Sequence, residues 1–289
     1  MKRNSNNKLL VPVDFSAINE VALSHATKVA STYGNDIVLL HVLESSVLKN
    51  LFGGDESLIK EAVQGRLDLK AEEIRKKSGV NVETRIAEGR PFKTIGQIAN
   101  SENFDAIIMG SHGANGVGQL VGSNASRTIQ VAEVPVVVVK NTDIGPNGYQ
   151  KIVMPIDLSV ETRQKAEWAI HIGTTFDSEV IILFESSEDE YTRARINSNL
   201  NEVTRKLEAS QVRYNLMEIE DSISTNFATE TLATANNIGA DLILVMTHTD
   251  RNLGELIIGT MTQQLVNKSQ KIPVMCIHPK ETGFVYSYS

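Results

Sequence analysis

Between Asp105 and Thr128 the chain reads DAIIMGSHGANGVGQLVGSNASRT. Gly110, Gly113, Gly116, Gly118 and Gly122 punctuate this stretch, with Ser111, His112, Ser123 and Asn124 among them. Glycine admits positive φ and lets backbone N–H groups come close to a ligand. Ser123 or Asn124 can cap a helix that starts there, and the free N–H groups of a first helical turn attract anions. Ahead of the glycines, Ala106 to Met109 has the length and composition of a strand buried on both faces. Strand, glycine loop and helix N-terminus together describe a phosphate cradle. The stretch carries neither the dinucleotide fingerprint GxGxxG nor the P-loop GxxxxGK(S/T). The glycine string alone is equally compatible with a flexible strand–helix connection that binds nothing.

Other reactive residues are sparse. Asp14 ends the apolar run KLLVPVD, and Asp157 ends a matching run, KIVMPID. His41, His112 and His248 have no HxxxH partner and no Cys/His cluster with zinc-site spacing. There is no GxSxG elbow, and Ser111 and Ser123 have no evident base. Neither a catalytic constellation nor a metal site is therefore expected. The single cysteine, Cys276, lies in the apolar run IPVMCI and is expected to be a buried, inert thiol. A formal net charge of −7 argues against nucleic acid or an anionic membrane as partner. No apolar run approaches membrane-spanning length and the basic N-terminus lacks an apolar segment, so a cytoplasmic location is expected.

The elements that must position these residues occur twice. Strand-like Lys8–Asp14 leads through Ser16, a candidate N-cap, into a helix ending at Gly34, with Val21, Ala22, His25, Val29 and Ala30 on its apolar stripe. Ile37–Val42 and Val80–Ala87 read as strands, Pro91–Asn100 as a helix, and Val134–Val139 as a fifth strand. The second half replays this order, and the two aspartates are offset by 157 − 14 = 143 positions. Glu179–Phe184 matches the second strand, and ADLILVM at 240–246 matches the strand before the glycines. IPVMCI matches VPVVVV through Pro273 and Pro135. Turn-rich NTDIGPNGY separates the halves, which divides the chain into domains 1–142 and 150–289 with a linker at 143–149.

Strands alternating with helices favour a parallel sheet covered on both faces, with ligands bound beyond the carboxyl ends of the strands where their order reverses. At this point the chain resembles the universal stress protein family. Its signature G-x2-G-x9-G-(S/T) after the fourth strand is matched by Gly110, Gly113, Gly122 and Ser123, with eight positions, 114 to 121, in place of nine. The resemblance covers nearly the whole chain, leaving out the N-terminal tip and the tail after about Lys280. It implies an α/β fold of two tandem doubly wound five-stranded parallel-sheet domains, order 3-2-1-4-5, which sets Asp14 beside Gly110.

The resemblance also implies ATP, with or without Mg, in the first half. Gly110, Ser111, His112, Gly113, Gly122, Ser123 and Asn124 would hold ribose and phosphates. Asp14 and the backbone around Val42 would contact the nucleoside, with Pro12 and Met109 lining it. In the second half Met246-Thr247-His248-Thr249 replaces GSHG, while Gly259-Thr260 keeps the nine-residue spacing. A second site built on Asp157, Gly259 and Thr260 is expected to be weaker or empty, Gly259 serving packing instead. The fifth strands are expected to pair within the chain as a pseudo-dimer, a homodimer also being open. The function implied is a stress-response regulator or sensor. The alternatives are a module binding another small ligand or a protein, and a slow ATPase.

Overall fold

The structure, a computed structural model, describes residues 6–44, 56–111, 123–219, 226–250 and 255–280. In the first half these form β1 (Lys8–Pro12), α1 (Ala17–Tyr33), β2 (Asp36–Leu43), α2 (Glu56–Ser78), β3 (Val82–Glu88), α3 (Pro91–Ser101), β4 (Ala106–Gly110), α4 (Ser123–Val131) and β5 (Val136–Val139). In the second half β6 (Lys151–Pro155) leads to a short 3-10 turn, Glu161–Gln164, and then α5 (Lys165–Phe176). There follow β7 (Glu179–Glu185), α6 (Glu190–Ala209), β8 (Arg213–Ile219), α7 (Phe227–Asn237), β9 (Leu242–Met246), β10 (His248–Asp250), β11 (Glu255–Ile257), α8 (Thr260–Lys268) and β12 (Val274–Ile277).

Ten of these strands make one sheet in the order β3-β2-β1-β4-β5-β12-β9-β6-β7-β8. Each half has the order 3-2-1-4-5 and is parallel throughout. The halves join through β5 and β12, which run antiparallel with Val137 opposite Met275. That pairing covers the bare backbone that a terminal apolar strand would otherwise present to solvent. Pro135 falls just outside β5; it has no N–H to give, and its carbonyl accepts from Ile107 N at 2.9 Å.

Because successive strand residues face opposite sides, the apolar runs feed two separate cores. Leu9, Val11, Ile37 and Leu39 pack with Ala22 of α1 and Leu67 of α2 on one face, and this core continues through Ile152 to Leu200 of α6. Leu10, Val38 and Leu40 pack with Ile95 of α3 and Ala125 of α4 on the other, continuing to Leu232 and Leu265 of α7 and α8. Both cores therefore run across the junction between the halves. Gly34, at φ +73°, ends α1 as its sequence position indicates, its N–H closing on Ala30. Cys276 is fully buried, and burial pushes its thiol up to about 12. Among the described residues no helix is long and apolar enough to cross a membrane.

Candidate functional site

The strand order reverses between β1 and β4, so the crevice at their carboxyl ends is bounded by Asp14 and Gly110. Asp14 is exposed, and its Oδ1 accepts from Ser16 N at 3.0 Å and Ser16 Oγ at 2.6 Å. Ser16 stands at the N-cap position of α1, yet its hydroxyl turns back to Asp14 and gives the helix no side-chain cap. Among the described residues Oδ2 of the exposed Asp14 has no partner, which leaves it available as an acceptor. Between them, Phe15 adopts φ +60°, a left-handed conformation that costs a non-glycine residue about 1–2 kcal/mol. Its ring lies 5.2 Å from that of His41 and carries Arg66 above it, Cζ 3.8 Å from the ring centroid. His41 Nδ1 donates to the Val13 carbonyl at 2.7 Å, which fixes the imidazole against the β1 exit. Phe15 and Arg66 were not legible as site residues, because residue type does not encode a positive φ, and Arg66 arrives from the middle of α2.

On the β4 side Met109 is buried, and Val42, half-buried on β2, packs into the same core. Pro12 is half-buried and its carbonyl accepts from Asn19 Nδ2 at 2.9 Å. Ser111 is buried and its N–H continues the ladder to Val139 O at 3.1 Å. Gly110 meets α1 so closely that a Cβ on it would stand 2.8 Å from Ile18 Cγ2. Packing therefore demands a glycine here, independently of any ligand. Ser123 opens α4 and Asn124 follows it, half-buried. His112, Gly113 and Gly122 lie outside the described residues.

The second half shares the frame and differs at the crevice. Asp157 repeats the turn of Asp14, its Oδ1 accepting from Ser159 N at 2.8 Å and Ser159 Oγ at 2.5 Å. Here the serine hydroxyl also accepts from Thr162 N at 3.2 Å, although the N-cap position of the turn belongs to Val160. The first helical turn is wound as a 3-10 turn, and α5 starts only at Lys165, whereas α1 starts three residues after Asp14. Met246, buried, fills the place of Gly110. Lys165 is fully buried and donates to the Pro155 carbonyl, the contact that Asn19 supplies in the first half. Burial pushes its ammonium down to about 8. Asn199 of α6 then ties down the turn, donating to Asp157 O at 2.8 Å and Ser159 O at 3.0 Å, and Arg163 holds Asn199 Oδ1 at 2.6 Å.

The segment matching the glycine loop is wound into an antiparallel ribbon, β10 against β11, with Asp250 opposite Glu255. Sequence reasoning placed no strand there, since neither segment exceeds three residues. Gly259 is the N-cap of α8, with ordinary negative φ and no side-chain cap, and Thr260 is the exposed first residue of the helix. A tied-down turn, a buried methionine and a two-stranded ribbon thus distinguish this end of the second half.

The universal stress protein family matches the chain twice, over residues 5–140 and 148–278. Universal stress protein MJ0577 of Methanocaldococcus jannaschii is 32% identical over 152 residues, covering 46% of this chain and 94% of that protein. A universal stress protein of Mycolicibacterium smegmatis is 32% identical over 146 residues, 47% of each chain. The crystal structure of a universal stress protein from Archaeoglobus fulgidus has the same fold over 94% of this chain and 98% of that one, with TM-score 0.76 and 18% identity. With the duplicated 3-2-1-4-5 order and the two family matches in register with it, the chain belongs to the universal stress protein family as two domains in tandem.

Proposed function

We propose that the protein is a stress-response regulator or sensor that binds one ATP per chain, in the crevice between β1 and β4 of its first half. The observation that carries this reading is the contrast between the two turns: Asp14 is exposed beside a left-handed Phe15, where the turn at Asp157 is half-buried and tied down by Asn199, with Met246 buried at the end of β9. The residues present fit an adenine nucleotide. The exposed Asp14 offers a second carboxylate oxygen suited to ribose hydroxyls or an adenine amino group. The N-terminus of α4 offers backbone N–H groups and the positive end of its dipole to phosphates. The backbone strain at Phe15 supports the same location, since strained residues cluster where a ligand site over-determines them. Its counterpart, Leu158, is not among the positive-φ residues. Asp157, Gly259 and Thr260 keep their structural roles in the second half without an accessible cradle.

Mass spectrometry of small molecules released from freshly purified, denatured protein tests the proposal, together with calorimetric titration of Mg-ATP. ATP or ADP near one per chain, lost in a Gly113→Val, Ser123→Ala variant, is the expected result. Neither bound nucleotide nor heat on titration would overturn it.

A further inference from the structure

Val137 and Met275 occupy matching places in the two halves and face each other across the β5–β12 pair. The pseudo-twofold axis therefore passes between them. On their face of the sheet the flanking helices are α1 and α5, and a cleft of about 250 Å3 opens between these helices with Val137 and Met275 in its floor. Its wall is aromatic. Tyr33 stacks on His171 with centroids 4.6 Å apart, Phe176 meets Tyr33 edge-on at 5.7 Å, and Trp168 meets His171 edge-on at 6.1 Å. Its rim is polar and comes from Asn7, Asn35 and Asp105, the residues that immediately precede β1, β2 and β4. The cleft thus opens at the amino ends of the strands, and the ATP crevice at their carboxyl ends.

A twofold-symmetric pair of domains would carry this rim twice. The covalent connection alters the other copy, which the linker lines along with His25 and Asp241. Asp241, the counterpart of Asp105, is engaged where the chain leaves the linker and enters β6, its Oδ2 accepting from Gln150 N at 2.9 Å and Lys151 N at 2.8 Å. His25, the counterpart of Trp168, is buried against the same linker, Nε2 on Thr142 O and Nδ1 on Tyr149 Oη, both at 3.0 Å. On the open side Asp105 Oδ2 accepts only from Asn35 Nδ2 at 2.7 Å, and Oδ1 has no partner among the described residues. A half-buried carboxylate with one amide donor favours a charged donor for its remaining oxygen.

We propose that this cleft is a second binding site, for a small aromatic compound bearing an ammonium group. The ammonium sits on Asp105 and the ring lies on the apolar floor against Tyr33, Trp168 and Phe176. Aromatic walls with a few convergent polar groups are the ordinary makeup of a small-molecule site. A volume just below the usual range restricts the ligand to a single ring with a short arm. Tandem duplication makes the site asymmetric, so each chain has one.

Trp168 is the only tryptophan in the chain, which makes its fluorescence a local reporter. Phenethylamine serves as the probe and 2-phenylethanol as its neutral isostere, each titrated into the full-length protein with and without saturating Mg-ATP. Saturable change with phenethylamine, about tenfold tighter than with 2-phenylethanol and indifferent to Mg-ATP, is expected. Asp105→Asn should abolish the preference for the amine. No saturation with either compound, equal affinity for both, or displacement by Mg-ATP would overturn the assignment. If Asp105→Asn fails to fold, the comparison of the two probes on the wild-type protein still decides.

Discussion

Gly110 and Ile18 are in such close contact that a single methyl group on Gly110 would lie 2.8 Å from Ile18 Cγ2 and 3.1 Å from its Cγ1. This contact seats the start of α1 on the end of β4. Overfilled contacts of this kind cost about 1–3 kcal/mol. Gly110→Ala should therefore lower the unfolding free energy by that amount in urea. In the double variant with Ile18→Ala, which removes both opposing atoms, the two costs should sum to more than the double variant loses. Strict additivity would show that the clash is relieved elsewhere. The glycine's packing role also means that loss of ATP in a Gly110 variant does not by itself report a ligand contact.

Asp14 and Asp157 separate stability from binding more cleanly. Each carboxylate accepts from the backbone and hydroxyl of the serine two residues on, at nearly the same distances. Removing either should cost about 1 kcal/mol, the usual worth of such a local bond. Only Asp14 lies in an exposed turn, the turn at Asp157 being tied down by Asn199. Asp14→Ala should weaken Mg-ATP by about tenfold, the worth of one lost hydrogen bond, whereas Asp157→Ala should leave affinity and stoichiometry unchanged. Equal losses in the two variants, read by calorimetry, would place nucleotide in both halves and refute the one-site proposal.

The linker is held by a buried imidazole of fixed tautomer. The Thr142 carbonyl can only accept, so Nε2 of His25 carries the proton and Nδ1 accepts from the Tyr149 hydroxyl. Burial holds His25 below its ordinary value, which keeps that lone pair available near neutral pH. Tyr149→Phe leaves the nitrogen buried without a donor and should cost about 1–2 kcal/mol, with little change in Mg-ATP affinity because the contact lies far from the crevice. Differential scanning calorimetry with and without Mg-ATP checks both halves of that statement. An unchanged melting temperature would mean that the seam carries no stability of its own.

The duplication and the position of Asp14 were legible because they rest on local patterns: apolar runs of strand length, their fixed offset, and a carboxylate at a strand exit. The strand order came only with the resemblance to the universal stress protein family. What was not legible depends on distant partners. Gly110 read as a ligand-facing glycine, and its contact with Ile18 emerges only when α1 is laid on the sheet. Ser16 read as a helix cap, but Asp14 competes for its hydroxyl. His25 read as one more position on an apolar stripe, since nothing near it in sequence announces Thr142 and Tyr149. The ribbon of β10 and β11 escaped notice because three-residue strands leave almost no periodic signal.

His278 gives the last prediction. It follows β12 at the place that Lys140 takes after β5, and both side chains are buried. Lys140 donates to the Val266 carbonyl at 2.6 Å. His278 Nδ1 lies 2.9 Å from Thr247 Oγ1, whose own proton goes to the Ile277 carbonyl at 3.2 Å. Nδ1 therefore donates, and Nε2 holds a buried lone pair with no partner among the described residues. Protonating it would bury an unpaired charge, and burial pushes the imidazole down to about 4 from its ordinary 6.5. The unfolded chain then binds the proton first as pH falls. The stability this group contributes is complete above pH 6.5 and is lost as pH drops towards about 4. By about pH 4.5 the loss should reach on the order of 2 kcal/mol. His278→Leu has no proton to gain and leaves the Thr247 bond to Ile277 intact. Urea unfolding at neutral pH should find the two proteins within about 1 kcal/mol of each other, as for an exchange of an unpaired polar group for an apolar one. Acidification should then destabilise the wild type more steeply than the variant. Parallel loss in both would mean that water or a neighbouring group reaches Nε2 in the folded state, and that His278 titrates as it does in the unfolded chain.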